Sequence, residues 1–113
     1  MLKLSLERVI KALVRLGLTR SDAEVYVYIA KKGPQTVVDL ARALSCDKHK
    51  IYPCIEHLQT KRLVTLKDRL FSALPFEEAL ELLIELNKEQ AEAMSESKKE
   101  LLVNWTTNDN VDS

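Results

Sequence analysis

Glycine and proline are scarce in this chain, which has 2 glycines and 3 prolines among its 113 residues. Both residue types mark tight turns, so a sandwich or barrel of many short strands would have too few turn positions. Hydrophobic residues make up 46% of the chain, which is enough to bury one packed core. The sequence therefore predicts a single, mainly α-helical domain.

No apolar run reaches the ~18 residues that a membrane-spanning helix needs, and charged residues interrupt the apolar start of the chain. We therefore expect a cytoplasmic protein without membrane contact. Cys46 and Cys54 are too few to cross-link a domain of this size, which fits a reducing compartment. Both are expected to be structural thiols, with redox sensing as the alternative for Cys46 because Lys48 and Lys50 lie nearby.

Charge is divided unevenly along the chain, although the net charge is zero. Residues 1–75 contain 14 Lys and Arg against 7 Asp and Glu, whereas residues 76–113 contain 3 against 10. A basic folded part indicates an anionic partner, and double-stranded DNA is the obvious candidate. The acidic segment is expected to have a different role.

Apolar residues at helical spacing predict two helices in the first third of the chain. The first covers 3–16 and ends at Gly17. The second begins at Thr19, which with Asp22 has the spacing of a capping box, and it continues to about residue 32. The first of these helices is amphipathic, with charged residues between its apolar positions.

Two shorter helices follow, separated by a few polar residues. The third begins at Thr36 and Asp39, which repeat the capping pattern, and the fourth covers 48–61 behind Asp47 as its N-cap. This spacing is typical of a helix-turn-helix, in which the second helix enters the major groove of DNA. The fourth helix buries a stripe formed by Ile51, Ile55 and Leu58. Its opposite face contains His49, Pro53, Glu56, His57 and Thr60.

Candidate DNA contacts follow from this placement. The first turn of the recognition helix offers side chains to bases or phosphates, while Tyr52 either contacts a phosphate or lies at the edge of the core. Glu56, on the outward face, repels phosphate unless it accepts a hydrogen bond from a cytosine amino group. The predicted DNA-binding residues are Lys48, His49, Lys50 and Tyr52 on that helix, with Arg20, Arg42, Lys67 and Arg69 as further phosphate contacts.

Two short apolar runs, 64–66 and 70–74, flank the polar tripeptide 67–69, and this pattern predicts a β-hairpin. A hairpin behind a helix-turn-helix is a wing, and the basic side chains at its tip suit contact with phosphate. The predicted fold is mainly α with a small β-hairpin wing, a winged helix-turn-helix over residues 1–75.

Neither Gly nor Pro interrupts residues 76–105, which predicts one long helix over this segment. The polar residues 106–113 are expected to form a disordered tail. The apolar positions of the predicted helix alternate by four and three residues, as in a coiled-coil seam. We interpret them as homodimer contacts, with a helix folded back on its own domain as the alternative. The predicted dimerisation residues are Leu80, Leu83, Ile84, Asn87, Ala91, Met94 and Leu101.

Three stretches of the chain resemble a known family. The sequence LGLTRSDAEVY at 16–26 resembles the opening motif of the TrmB-like winged-helix domain of archaeal and bacterial transcription regulators. Residues 50–64 resemble its recognition helix, and residues 71–80 resemble its second wing strand and the start of its linker helix. The resemblance covers about residues 6–85. It implies sequence-specific binding of duplex DNA by a homodimer, with the fourth helix in the major groove.

The chain departs from this family pattern in three places. Arg62 replaces the glycine that usually follows the recognition helix, and the wing is shorter than is typical, so minor-groove contact is expected to be weak or absent. Full-length members often have a sugar-binding domain after the linker helix, and this chain ends where that domain would begin. We therefore expect no small-molecule effector site within the chain.

Other classes of function find little support in the sequence. Cys46, His49, Cys54 and His57 are metal-ligand types, but on one helix the two pairs lie too far apart for one tetrahedral ion. We expect no metal or cofactor and, without a glycine-rich phosphate loop or nucleophile elbow, no enzyme. The alternatives are a winged-helix protein–protein interaction module of the transcription machinery and a non-specific architectural DNA binder. Selective binding of duplex DNA discriminates among them.

Overall fold

The computed structural model describes residues 2–87 and 98–111. It is mainly helical with one two-stranded antiparallel hairpin, which fits the predicted winged-helix fold. The elements are α1 (Leu2–Arg15), α2 (Arg20–Lys32), α3 (Val37–Ala43), α4 (Lys48–Thr60), β1 (Val64–Lys67), β2 (Leu70–Ala73), α5 (Phe76–Leu86) and α6 (Lys98–Val111). None of the described helices is both long and apolar enough to cross a membrane.

The described residues form two compact units. The hairpin unit is Ser21–Pro75, and the helical unit combines the residues up to Arg20 with those from Phe76 onward. The division expected from the sequence placed α1 with residues 1–75, whereas in the structure α1 groups with α5 and α6. An amphipathic helix buries its apolar face wherever a complementary face is available, and sequence periodicity does not specify which one.

The hairpin unit is held by the helical stripes that the periodicity predicts. The capping box at the start of α3 is present, with the Thr36 hydroxyl accepting from the Asp39 backbone N–H at 3.1 Å and the Asp39 carboxylate accepting from the Thr36 N–H at 3.2 Å. These bonds satisfy amide groups that a helix start leaves unpaired. The core is formed by Ala23, Val25, Tyr26, Val27, Ile29, Leu40, Ala41, Ile51, Cys54, Ile55, Leu58, Leu63 and Val64.

The hairpin pairs Val64 with Ala73 at its open end and Lys67 with Leu70 at its turn. Asp68 and Arg69 form the two-residue turn with φ angles of 53° and 68°, which is the left-handed backbone of a type I′ turn. Neither residue is the glycine or asparagine that this turn prefers, so its geometry was not predicted. The structure also adds an isolated bridge, in which Gln35 and Phe71 exchange backbone hydrogen bonds of 3.0 and 2.8 Å.

Tyr26 connects α2 to the end of the hairpin. Its side chain is fully buried, and its hydroxyl donates to the backbone carbonyl of Leu74 at 2.5 Å. We expect Tyr26→Phe to lower the free energy of unfolding by about 0.5–1.5 kcal/mol, because it removes the hydrogen bond to the half-buried Leu74 carbonyl. Urea denaturation of the full chain measures this change. Tyr28→Phe, on the same helix but half-buried, is the control, with an expected change below about 0.5 kcal/mol.

The helical unit is built by packing of α6 along α1, with α5 also in contact with α6. Leu80 and Leu83 of α5 are fully buried, and Leu101 of α6 is 6% exposed. The rings of Phe76 and Trp105 stack with their centroids 4.5 Å apart and an interplanar angle of 19°. Three of the predicted dimerisation residues, Leu80, Leu83 and Leu101, are therefore buried within the chain itself.

The structure does not show the predicted continuous helix over 76–105. α5 ends at Leu86, and Asn87 lies in a turn, where its side-chain amide donates to the backbone carbonyls of Leu16 and Leu83. Leu80, Leu83 and Leu101 are buried within their own chain and Asn87 is hydrogen-bonded within it, while Ile84 is half-buried. The predicted seam residues Ala91 and Met94 lie outside the described residues.

The first part of the tail predicted over 106–113 lies in α6. α6 continues to Val111, and within it the Thr106 hydroxyl donates to the Leu102 carbonyl at 3.0 Å.

Candidate nucleic-acid interface

The turn between α3 and α4 is determined by backbone hydrogen bonds. Ser45 has a φ of 53°, its N–H donates to the Arg42 carbonyl, and the Cys46 N–H donates to the Ala41 carbonyl at 3.0 Å. This pair of bonds is a Schellman motif, which ends a helix and turns the chain sharply. Two residues later Asp47 begins α4 by accepting a hydrogen bond from the His49 N–H at 2.9 Å. The connection is short and every step of it is hydrogen-bonded.

One face of α4 is buried and the opposite face is exposed to solvent. Ile51, Ile55 and Leu58 are at most 4% exposed, which confirms the predicted stripe, and Cys54 extends it at 5%. The predicted outward face is also confirmed, because His49, Pro53, Glu56, His57 and Thr60 are all exposed. A helix held by one apolar face presents the other as a rigid surface, as a recognition helix requires.

The first turn of α4 gathers positive charge. Lys48, His49 and Lys50 are all exposed, and the His49 side chain is 91% accessible. The helix N-terminus adds the partial positive charge of its aligned peptide dipoles. Hydrogen bonds from the His49 backbone and then from its side chain hold the pKa of the Asp47 carboxyl below its usual range. Tyr52 is 55% exposed, so its ring lies at the surface and not in the core.

The predicted phosphate contacts fall into two groups. Arg42, at the end of α3, and Lys67 and Arg69, at the hairpin turn, are exposed in the hairpin unit with the recognition helix. Arg20 instead belongs to the helical unit, where its guanidinium donates to both carboxylate oxygens of Glu7 at 2.6 and 2.8 Å. This bond holds the pKa of Glu7 below its usual range. The fork of Arg20 thus binds a carboxylate in the structure, and its contact with a phosphate stays a prediction.

A hydrogen-bonding contact that sequence reasoning missed joins α2 to α4. The Asp22 side chain is 4% exposed, and its two carboxylate oxygens lie 3.2 and 3.3 Å from Nδ1 of His57. A buried carboxylate needs partners to offset its lost hydration. His57 supplies one from the outward face of the recognition helix. The sequence offered no local signal for this contact, because Asp22 and His57 are 35 residues apart. The spacing of Asp22 from Thr19 had indicated only a helix cap.

The two cysteines have different surroundings. Burial raises the pKa of the Cys54 thiol to about 12, and the neighbouring Asp22 carboxylate adds to the effect. Its Sγ donates to the Lys50 carbonyl at 3.4 Å, so Cys54 is a structural thiol of low reactivity. Cys46 is half-buried and lines a cleft of about 120 Å³ together with Cys54.

The four metal-ligand types do not converge. His49 faces Asp47, His57 faces Asp22, and residues 2–87 and 98–111 contain no group of three or more His, Cys, Asp or Glu side chains placed to hold a metal ion.

The geometry is that of a hydrogen-bonded helix-turn-helix followed by a hairpin, and comparison with known families agrees with it. The family model for the sugar-specific transcriptional regulator TrmB matches residues 13–77, more than half of the chain. The chain belongs to the TrmB family. It is therefore a transcription regulator that binds DNA. Searches of curated proteins and of solved structures gave no significant match.

In this TrmB-family protein α4, the predicted recognition helix, ends in an unusual way. The N–H of Arg62 donates to the Gln59 carbonyl, and the N–H of Leu63 donates to the Leu58 carbonyl at 2.9 Å, which is again a Schellman motif. Its left-handed position is occupied by Arg62, with a φ of 65°. The family resemblance expects glycine there, and the backbone retains the glycine-type conformation despite the side chain.

We expect Arg62→Gly to raise the free energy of unfolding by about 0.5–1 kcal/mol. Relief of the left-handed strain outweighs the larger unfolded-state entropy of glycine. Thermal unfolding followed by circular dichroism measures the gain. Arg62→Ala keeps the strain and removes the same charge, so an equal gain in that variant would mean that charge and not backbone conformation is responsible.

Proposed function

We propose that this TrmB-family chain is a sequence-specific regulator that acts in the cytoplasm as a homodimer, with α4 in the major groove of each half-site. The function is binding, and no catalytic role is assigned. The observation that carries the proposal is the exposed first turn of α4. It presents Lys48, His49 and Lys50 from a helix whose other face is buried in the core of the hairpin unit.

The chemistry of that turn suits both parts of a DNA surface. Lysine ammonium groups bind phosphates and can donate to the O6 and N7 atoms of guanine, while a histidine ring can donate to or accept from a base edge. Tyr52, one turn further along α4 and 55% exposed, has a hydroxyl that can donate to phosphate. Specificity then comes from the first turn, and affinity comes largely from the surrounding cations.

Two further features orient the helix. Lys67 precedes the tight two-residue turn and Arg69 is its second residue, so the hairpin presents cations on a short, stiff support. Glu56 is exposed on the outward face of α4 and would repel a phosphate. We place it over the bases, where its carboxylate accepts a hydrogen bond from a cytosine amino group.

We infer a homodimer because a single recognition helix contacts too few base pairs to define a specific site. One helix reads only a few base pairs, and helix-turn-helix proteins extend their sites by pairing two copies about 34–36 Å apart along the duplex. The operator is therefore expected to be a near-palindrome. Since Leu80, Leu83 and Leu101 are buried within the chain, dimerisation is assigned to other surfaces.

Enrichment of fragmented source-genome DNA by the purified protein at near-physiological salt, followed by sequencing, tests the proposal. A small set of inverted-repeat sites supports it, with light scattering of the complex reporting two chains per site. Enrichment of all fragments alike would identify a non-specific architectural binder. No enrichment at all would favour a protein–protein interaction module, and either result contradicts the proposal.

A further inference from the structure

The imidazole ring of His57 has one nitrogen bound within the hairpin unit and the other without a partner there. Nδ1 lies 3.2 and 3.3 Å from the two carboxylate oxygens of Asp22, whose side chain is 4% exposed. The His57 side chain is itself 55% exposed, on the outward face of α4. Its Nε2 atom makes no hydrogen bond to residues 2–87 or 98–111. The ring therefore has one atom left for a partner outside the chain.

Asp22 determines which nitrogen of the ring carries the proton. An ionised carboxylate offers only acceptors, so Nδ1 is the donor of this contact. In a neutral imidazole one nitrogen donates and the other accepts, which leaves Nε2 of His57 as an acceptor. The oxygens of a DNA phosphate only accept, so they do not suit this atom. The donors in the major groove are the N4 amino group of cytosine and the N6 amino group of adenine.

The same contact fixes the direction of the ring before DNA is bound. The Asp22 carboxylate is buried in the first turn of α2, so it holds the imidazole from the protein side. A side chain that is held in advance loses less rotamer freedom on binding.

The position of His57 along α4 separates its contact from that of the first turn. His57 follows His49 by two turns, which is about 12 Å at 1.5 Å per residue. Base pairs are stacked about 3.4 Å apart. For a helix lying along the groove, the base at His57 is therefore about three to four base pairs from the base at His49.

We propose that His57 is a second specificity-determining residue of α4 and that Asp22 is its positioning residue. Nε2 accepts a hydrogen bond from the amino group of one adenine or cytosine in each half-site, while Nδ1 stays bound to Asp22. This inference rests on the proposed placement of α4 in the major groove. It adds a base preference that Lys48, His49 and Lys50 do not provide.

Two replacements of His57 separate the roles of its nitrogens. In His57→Asn the side-chain amide nitrogen takes the place of Nδ1 and can still donate to Asp22, but nothing replaces Nε2. In His57→Gln the longer amide reaches the place of Nε2 and can accept from a base, but nothing replaces Nδ1. Selection of preferred duplexes from a random library gives the base preference of each variant. Thermal unfolding without DNA gives its stability.

We expect His57→Asn to lose the preference for adenine or cytosine at one position of each half-site. Its affinity for the selected operator should fall about three- to tenfold, the effect of one hydrogen bond, with an unchanged melting temperature. His57→Gln should keep the preference and have a lower melting temperature. Gln59→Asn is the control, because Gln59 is exposed near the end of α4 but lies off its outward face. We expect its motif and affinity to be those of the unchanged chain.

Asp22→Asn tests the positioning role. Its amide has a donor and an acceptor, so a hydrogen bond to Nδ1 is possible with the proton on either nitrogen of His57. We expect the preference at this position to broaden to guanine and thymine, whose major-groove edges offer acceptors. An unchanged preference would contradict the role of Asp22. The two His57 variants alter an exposed side chain, so they remain decisive if Asp22→Asn fails to fold.

A full base preference in His57→Asn would overturn the inference. Combined with a lower melting temperature of His57→Gln, that result would mean that His57 serves only as a partner for the buried Asp22 carboxylate. If the unchanged chain selects no motif, the proposed function fails and this inference fails with it. If the unchanged chain and His57→Asn select the same motif, only this inference fails.

Discussion

Replacing both Lys48 and Lys50 with alanine is expected to weaken binding to the selected operator on the order of 100-fold at near-physiological salt. Both side chains are exposed on the first turn of α4, where the helix dipole adds to their charge. Each lost phosphate contact should also lower the slope of log K against log salt by about 0.9. Fluorescence anisotropy with a labelled operator at several salt concentrations gives both quantities.

The matched control for this variant removes two lysines from elsewhere in the same unit. Lys31→Ala with Lys32→Ala changes the net charge equally but alters the end of α2. We expect less than a threefold loss of affinity from it, with a smaller change in slope. If the two double variants weaken binding equally, overall charge and not the first turn of α4 determines affinity. Such a result would remove the physical basis for assigning α4 to the major groove.

Leu83→Ala is expected to lower the free energy of unfolding by about 2–5 kcal/mol, because it opens a cavity at a fully buried position of the helical unit. The loss should be the same at low and high protein concentration, since the contacts of Leu83 lie within one chain. Leu86→Ala, on the same helix but 57% exposed, is the control, with an expected change below about 0.5 kcal/mol. Urea denaturation over a hundredfold range of protein concentration measures both variants.

This comparison separates the two interpretations of the leucine pattern. A seam between two subunits would make the loss caused by Leu83→Ala grow as the protein is diluted, because dissociation and unfolding would be coupled. Intrachain packing predicts no such dependence. A dilution-dependent loss would restore the coiled-coil interpretation and contradict the packing of α6 on α1.

Local signals in the sequence predicted most of the hairpin unit. The capping box of Thr36 and Asp39 and the N-cap of Asp47 are satisfied within three residues, so the sequence alone contains the information for them. The outward face of α4 follows from the 100° rotation per residue. The left-handed backbone at Ser45 and Arg62 was not predictable, because neither residue is the glycine that normally marks it.

Contacts between distant segments account for the remaining differences. A repeat of apolar residues by threes and fours specifies which face of a helix is buried but not which molecule buries it, so Leu80 and Leu101 fit a seam and a folded-back helix equally well. A charged residue in the sequence likewise does not specify which oppositely charged group it will contact. Arg20 is as suitable for a phosphate as for the carboxylate of Glu7, and only the tertiary structure shows the bidentate pair.

The most direct test of base reading by α4 is selection of preferred duplexes from a random library, done in parallel for the unchanged chain and for His49→Ala. His49 is 91% exposed at the first turn, so its loss should leave the fold intact. We expect the same near-palindromic motif in both selections, with the base preference relaxed at one position in each half-site for the variant. Identical preferences at every position, or no motif for the unchanged chain, would contradict the assignment of α4 as the helix that reads the DNA.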